Sequence, residues 1–87
     1  MLPNLENMVS YAVLVLPGDG VGPEVTHEAL KIIEVVSSIT KVKIDIRTAL
    51  LGGCSIDKHG VALTNEVLDQ AKAADAVLMG AVGGPKW

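Results

Sequence analysis

Two runs of apolar residues, Tyr11 to Leu16 (YAVLVL) and Ala76 to Met79 (AVLM), constrain this chain more than any other feature. Neither run alternates with polar residues. A strand that is apolar on both faces must be covered on both faces, which happens mainly inside a parallel sheet flanked by helices. The segments between the runs fit that picture. Pro23 stands at N1, where its missing N–H costs nothing, and Glu24 follows near the positive helix end. Val25, Ala29, Ile32, Ile33 and Val36 recur at helical spacing and mark the expected inner face of a helix running to about Ser37 or Ser38.

Val42 to Arg47 does alternate. Val42, Ile44 and Ile46 point one way, and Lys43, Asp45 and Arg47 the other, as in a strand with one wet face near a sheet edge. The stretch LLGGCSIDKHG carries turn signals at both ends, with room for one helical turn between. Thr64 can cap a further helix, with Glu66 in its first turn and Val67, Leu68 and Ala71 on its inner face, ended by Ala74-Asp75. The order is β-α-β-α-β, an α/β chain with a parallel sheet and right-handed crossovers.

The wet strand belongs at one edge, so the expected spatial order is second, first, third. In that order the sheet reverses its winding between the first and third strands. Open α/β sheets bind ligands there, beyond the carboxyl ends of the strands. Two glycine-rich loops, PGDGVGPE (17–24) and GAVGGPKW (80–87), would flank that crevice.

The same order leaves the third strand apolar and unpaired on its outer side. Strands lie about 4.8 Å apart and a helix is about 10 Å wide, so one helix per face covers roughly two of three strands. Composition sharpens the point. Hydrophobic residues are 49% of the 87 before the nine glycines are counted, already near the usual ceiling of roughly 45–50% for a set that includes glycine. A domain this small does not easily hide so much. Residues 1–87 are therefore expected to be an incomplete segment of a larger domain, with 1–10 a loose leader.

Several function classes are disfavoured. Net charge is −3 and no basic cluster exists, so neither nucleic acid nor membrane is an expected partner. Cys54 is alone, so there is no disulfide framework and no zinc spacing. No run approaches the roughly 20 apolar residues of a membrane span, and the first ten residues suit neither a secretory nor a mitochondrial leader. The expected location is cytoplasmic.

The first glycine loop is not a Rossmann fingerprint. G-x-G-x-x-G from Gly18 would need glycine at position 23, which is Pro23, and Asp45 lies within its strand rather than at the end. Asp19 and Glu24 also put carboxylates where a pyrophosphate would sit. Gly18, Gly20 and Gly22 could instead admit an uncharged part of a ligand, such as ribose or adenine, or simply make a tight turn. In the last loop Lys86 could meet an anion and Trp87 could stack on a ring or fill a core gap; a flexible loop is the alternative. His27 reads as solvated, His59 as a turn residue, Asp57 and Asp75 as cap or turn residues, and Cys54 as a small buried apolar residue.

Three stretches, VLPGDGVGPEV (15–25), GGCSIDKHGVAL (52–63) and ADAVLMGAVGGPKW (74–87), together resemble the amino-terminal part of the isocitrate/isopropylmalate β-decarboxylating dehydrogenase family. The ending GAVGGPKW points to the isopropylmalate branch; another branch, such as tartrate dehydrogenase, is the alternative. Cys54 stands where the family usually has alanine. The resemblance implies a two-domain α/β fold that binds NAD without a Rossmann fingerprint, a homodimer, and a Mg or Mn ion. It implies oxidative decarboxylation of 3-isopropylmalate with NAD, in leucine biosynthesis. By position, Gly84, Pro85, Lys86 and Trp87 match the start of a family loop associated with NAD, and Val21 matches an apolar position against the adenosine. No catalytic residue and no metal ligand can be carried over, since Arg47 and Tyr11 are the only Arg and Tyr and neither matches. The isolated chain is expected to be inactive. The alternative outside enzymology is a non-catalytic remnant or a small nucleotide-binding module.

Overall fold

In the computed structural model, residues 9–84 are described. They form β1 (Ser10–Gly18), α1 (Gly22–Thr40), β2 (Lys43–Thr48), α2 (Gly53–His59), α3 (Asn65–Ala73) and β3 (Ala76–Ala81). The three strands make one parallel sheet in the order β2-β1-β3, as the contrast between alternating and continuous apolar runs requires. Val13 pairs with Ile46 on one side and Ala76 on the other; Gly18 pairs with Ala81 at the carboxyl end. Asp75 extends this ladder at the opposite end. Its carboxylate accepts the Ala12 N–H at 2.7 Å and its own N–H donates to Ala12 O at 2.8 Å. It is thus a strand-pairing residue, where its place after a helix suggests only a cap or turn.

The core lies on β1. Leu14 and Leu16 face α3, where Val67 completes a buried cluster with Ala49, Leu51, Ala71 and Ala74 around it. Val15, 1% exposed, points to the other face, as strand alternation dictates. β1 is covered only along its second half, since Tyr11 and Ala12 are exposed. The leader expected over 1–10 gives way to β1 at Ser10; residues 1–8 lie outside the described residues.

The helix α1 departs from its expected inner face. Gly22 and Thr26 are buried, and Ala29, Leu30, Ile33 and Ser37 are half-buried, while Val25, Ile32 and Val36 are exposed. Its apolar residues form two stripes, and the sheet takes the stripe with the smaller side chains. The reason is visible at Gly80. A Cβ there would collide with Thr26 Oγ1, with Pro17 O at 2.5 Å and with Gly22 O at 2.9 Å. The first turn of α1 therefore rides directly on the β3 backbone, an approach that only small residues allow. The helix also outruns Ser37 and Ser38 to reach Thr40. Ser37 Oγ donates to Val42 O at 2.5 Å and Thr40 Oγ1 donates to Val36 O at 2.7 Å, so these hydroxyls serve the helix end rather than stopping it. Lys41, at φ 62°, closes it with its N–H on Ser37 O.

The helix α3 starts where its cap dictates, with the Val67 N–H donating to Thr64 Oγ1 at 3.2 Å. Val67 is buried and Ala71 half-buried, but Leu68 turns outward. β3 extends to Ala81, past its expected end at Met79, because Ala81 stays in register with Gly18. Val77 and Met79 are 45% and 58% exposed on this edge strand. No helix of the described residues is long and apolar enough to cross a membrane.

Candidate functional site: a clasp of three loops

The carboxyl ends of β1 and β3 bring the two glycine loops together, as the strand order predicts. The Asp19 N–H donates to Ala81 O at 2.7 Å, and the Gly22 N–H donates to Asp19 O at 2.8 Å, closing the turn into α1. A Cβ added at Gly20 would lie 3.7 Å from Gly83 O, so the two loops are neighbours at their tips.

A third loop joins them, and Asp19 is the reason. Its Oδ2 accepts the Gly53 N–H at 2.8 Å and the Gly83 N–H at 3.0 Å, while its Oδ1 accepts the Cys54 N–H at 2.7 Å. The ionised carboxylate thus engages three backbone donors from two other loops. Those donors, the Gly83 N–H foremost, then those of Gly53 and Cys54, lower its pKa from 3.8 to about 2, against a smaller opposing push from desolvation. Gly52, at φ +86°, is shaped by the same contact, because a Cβ there would meet Asp19 Oδ2 at 2.5 Å and Val82 Cγ1 at 2.6 Å. The Cys54 thiol is half-buried, with Leu51 O at 3.2 Å and Gly18 O at 3.5 Å as alternative acceptors for its one proton, which makes it a part of the packing.

This geometry corrects one expectation. Asp19 does not stand in the crevice to repel a phosphate; its charge is turned inward and satisfied. It also explains why α2 is longer than one turn. The carboxylate takes up the N–H groups of Gly53 and Cys54, the first two residues of that helix, as a cap supplied from far away in sequence. His59 is accordingly the last residue of α2, with Gly60 as its left-handed cap, rather than a turn residue. The sequence signal for this clasp is Asp19 set between Gly18 and Gly20, both at positive φ, where a short acidic side chain is free to reach backbone donors.

Of the residues assigned to NAD, Val21 is the N-cap of α1 and is 61% exposed beside the loop tips. Gly84 is exposed, one residue beyond the Gly83 held by Asp19. Pro85, Lys86 and Trp87 lie outside the described residues. The surface between is open and apolar. It has bare backbone at Gly20 and Gly83, where a Cβ at Gly83 would meet nothing within 4 Å, and apolar side chains at Val21 and Val82. A metal does not fit, because no group of three or more His, Cys, Asp or Glu converges among the described residues. His27 is exposed and carries no such partner set. An apolar hollow lined by Ala12, Leu14, Arg47, Ala73 and Ala74 lies towards the other end of the sheet and offers little chemistry.

Comparison with known proteins agrees with this arrangement. The family model described as isocitrate/isopropylmalate dehydrogenase matches residues 12–87. The 3-isopropylmalate dehydrogenase of Anaeromyxobacter dehalogenans is 59% identical over 75 residues, which cover 86% of this chain and 21% of that protein. That of Pichia angusta is 57% identical over 79 residues, 91% of this chain and 22% of that protein. The chain thus spans about a fifth of the length of the curated relatives it matches. Among solved structures, a β-decarboxylating dehydrogenase of Thermococcus kodakarensis in its apo form superposes with a TM-score of 0.74 at 32% identity, over 86% of this chain and 21% of that one. With the sheet order, the loop cluster and these matches in agreement, the chain belongs to the isocitrate/isopropylmalate dehydrogenase family.

Proposed function

We propose that residues 1–87 act as the amino-terminal segment of an NAD-dependent 3-isopropylmalate dehydrogenase, a homodimeric cytoplasmic enzyme of leucine biosynthesis. The reading rests above all on one observation: the loop that leads into Gly84-Pro85-Lys86-Trp87 is bonded through Asp19 to the loop that carries Val21. The relatives at 57–59% identity support the choice of substrate.

In this reading NAD, when bound, accepts the hydride released as the 2-hydroxyl of the substrate is oxidised. The residues of this chain hold and orient it. Val21 offers an apolar surface to the adenosine. Gly20 and Gly83 keep side chains out of the way, so that the cofactor can approach the backbone. Asp19 directs its carboxylate oxygens at backbone donors of the chain itself. Lys86 would bring a compensating positive charge, and Trp87 a ring for stacking. By the family resemblance the Mg or Mn ion, the substrate-binding groups and the catalytic groups belong to other segments; among the described residues no group of three or more His, Cys, Asp or Glu converges.

A chimera tests the proposal. In the Pichia angusta enzyme, the 79 matching residues are replaced by those of this chain. NADH formation is then followed with 3-isopropylmalate and Mg. The chimera is expected to turn over with a KM for NAD within about tenfold of its parent, while the 87-residue chain alone shows none. A folded chimera that no longer binds NAD, or turnover by the chain alone, would overturn the reading.

A further inference from the structure

We infer that Asp19 is the positioning residue of the cofactor loop: by accepting the Gly83 N–H while anchored on Gly53 and Cys54, it fixes the backbone at Gly83, from which Gly84 starts. The inference deepens the proposed function and rests on it for the identity of the ligand as NAD. The argument comes from the bonding. Gly83, at φ +111°, has open space where a side chain would be, so few side-chain contacts hold its conformation. What holds it is one charge-assisted bond to Asp19 Oδ2 at 3.0 Å. Asp19 is itself immobilised by the Gly53 and Cys54 N–H groups at 2.8 and 2.7 Å and by its own N–H on Ala81 O. Bonds to an ionised acceptor are roughly twice as strong as neutral ones. A glycine pair would otherwise sample many conformations and would have to be ordered at the moment of binding, at a cost in affinity.

Asp19→Ala removes all three bonds, whereas Asp19→Asn removes only some of them. The single amide oxygen of asparagine can keep either the two bonds made by Oδ2 or the one made by Oδ1, and its NH₂ then opposes the remaining N–H. Asp19→Asn is therefore expected to fall between the parent and Asp19→Ala. Two readouts separate the possibilities. In the full 87-residue chain, amide hydrogen exchange at Gly83 should speed up about tenfold or more in Asp19→Ala, relative to Val15 in the core, with Asp19→Asn between the two. In the chimera, Asp19→Ala should raise the KM for NAD about tenfold with kcat unchanged, and Asp19→Asn by less. Thr64→Ala, which weakens a helix cap away from the loops, should move neither. Unchanged exchange at Gly83, or an unchanged KM in a chimera that binds NAD, would overturn the inference. Faster exchange at Gly83 combined with a parent chimera that does not bind NAD would instead overturn the functional reading and leave the clasp standing.

Discussion

At the scale of single residues, the carboxylate of Asp19 gives the loop cluster a signature in acid. Its pKa is about 2 in the folded chain against an ordinary value of 3.8. A carboxyl group that binds protons less readily when folded stabilises the fold wherever it is ionised. That contribution is fully present above pH 3.8 and is lost as pH falls through about 2. The amide resonances of Gly53, Cys54 and Gly83 should consequently titrate together with one midpoint near 2, and the unfolding midpoint in urea should drop across the same window. Asp19→Asn should lack both effects. Amides titrating near 3.8 would contradict the bonding described. Because Asp19 is partly open to solvent, the effect should shrink in high salt. Little of this is legible in the sequence. The glycines around Asp19 announce a turn, but its three donors stand 34, 35 and 64 positions away, and only the fold brings them together.

At the scale of elements, local chemistry and tertiary packing can be told apart. The helix α3 is set by its own cap. Thr64→Ala removes the acceptor for the Val67 N–H and should cost about 1 kcal/mol, seen as a lower urea midpoint with an unchanged slope. Such elements were readable in advance, as were the three strands and the proline-led start of α1. The face of α1 was not. Large aliphatic residues occupy both of its stripes, Leu30 and Ile33 on one and Val25, Ile32 and Val36 on the other, so periodicity alone does not choose between them. The choice falls to Gly22 and Thr26, whose small size lets the helix meet β3 at Gly80. Ile32 and Ile39 are left 67% and 74% exposed as a result. The length of α2 was equally hidden, since its cap arrives from another loop.

At the scale of the whole molecule, the strand order was legible because β2 alternates and the other two do not, and that contrast sorts edge from centre. Among the described residues the same order leaves one side of β3 unpaired, with Val77 and Met79 exposed. Edges of this kind pair with other chains. The isolated chain should therefore elute at an apparent mass that rises with concentration, and the double substitution Val77→Lys, Met79→Lys should lower it without loss of the circular dichroism signal. Association unaffected by that change would place the contact elsewhere, with the exposed stripe of α1 as the next surface to alter.

The clasp also sets a timetable for a chain emerging from the ribosome. β1 and β2 can pair through α1 first, and Asp19 finds Gly53 and Cys54 soon after they appear. Its last donor, Gly83, is made 64 residues after Asp19 itself. The stretch that leads to Gly84 is thus the last part of the clasp to be locked, by a residue made 64 positions earlier.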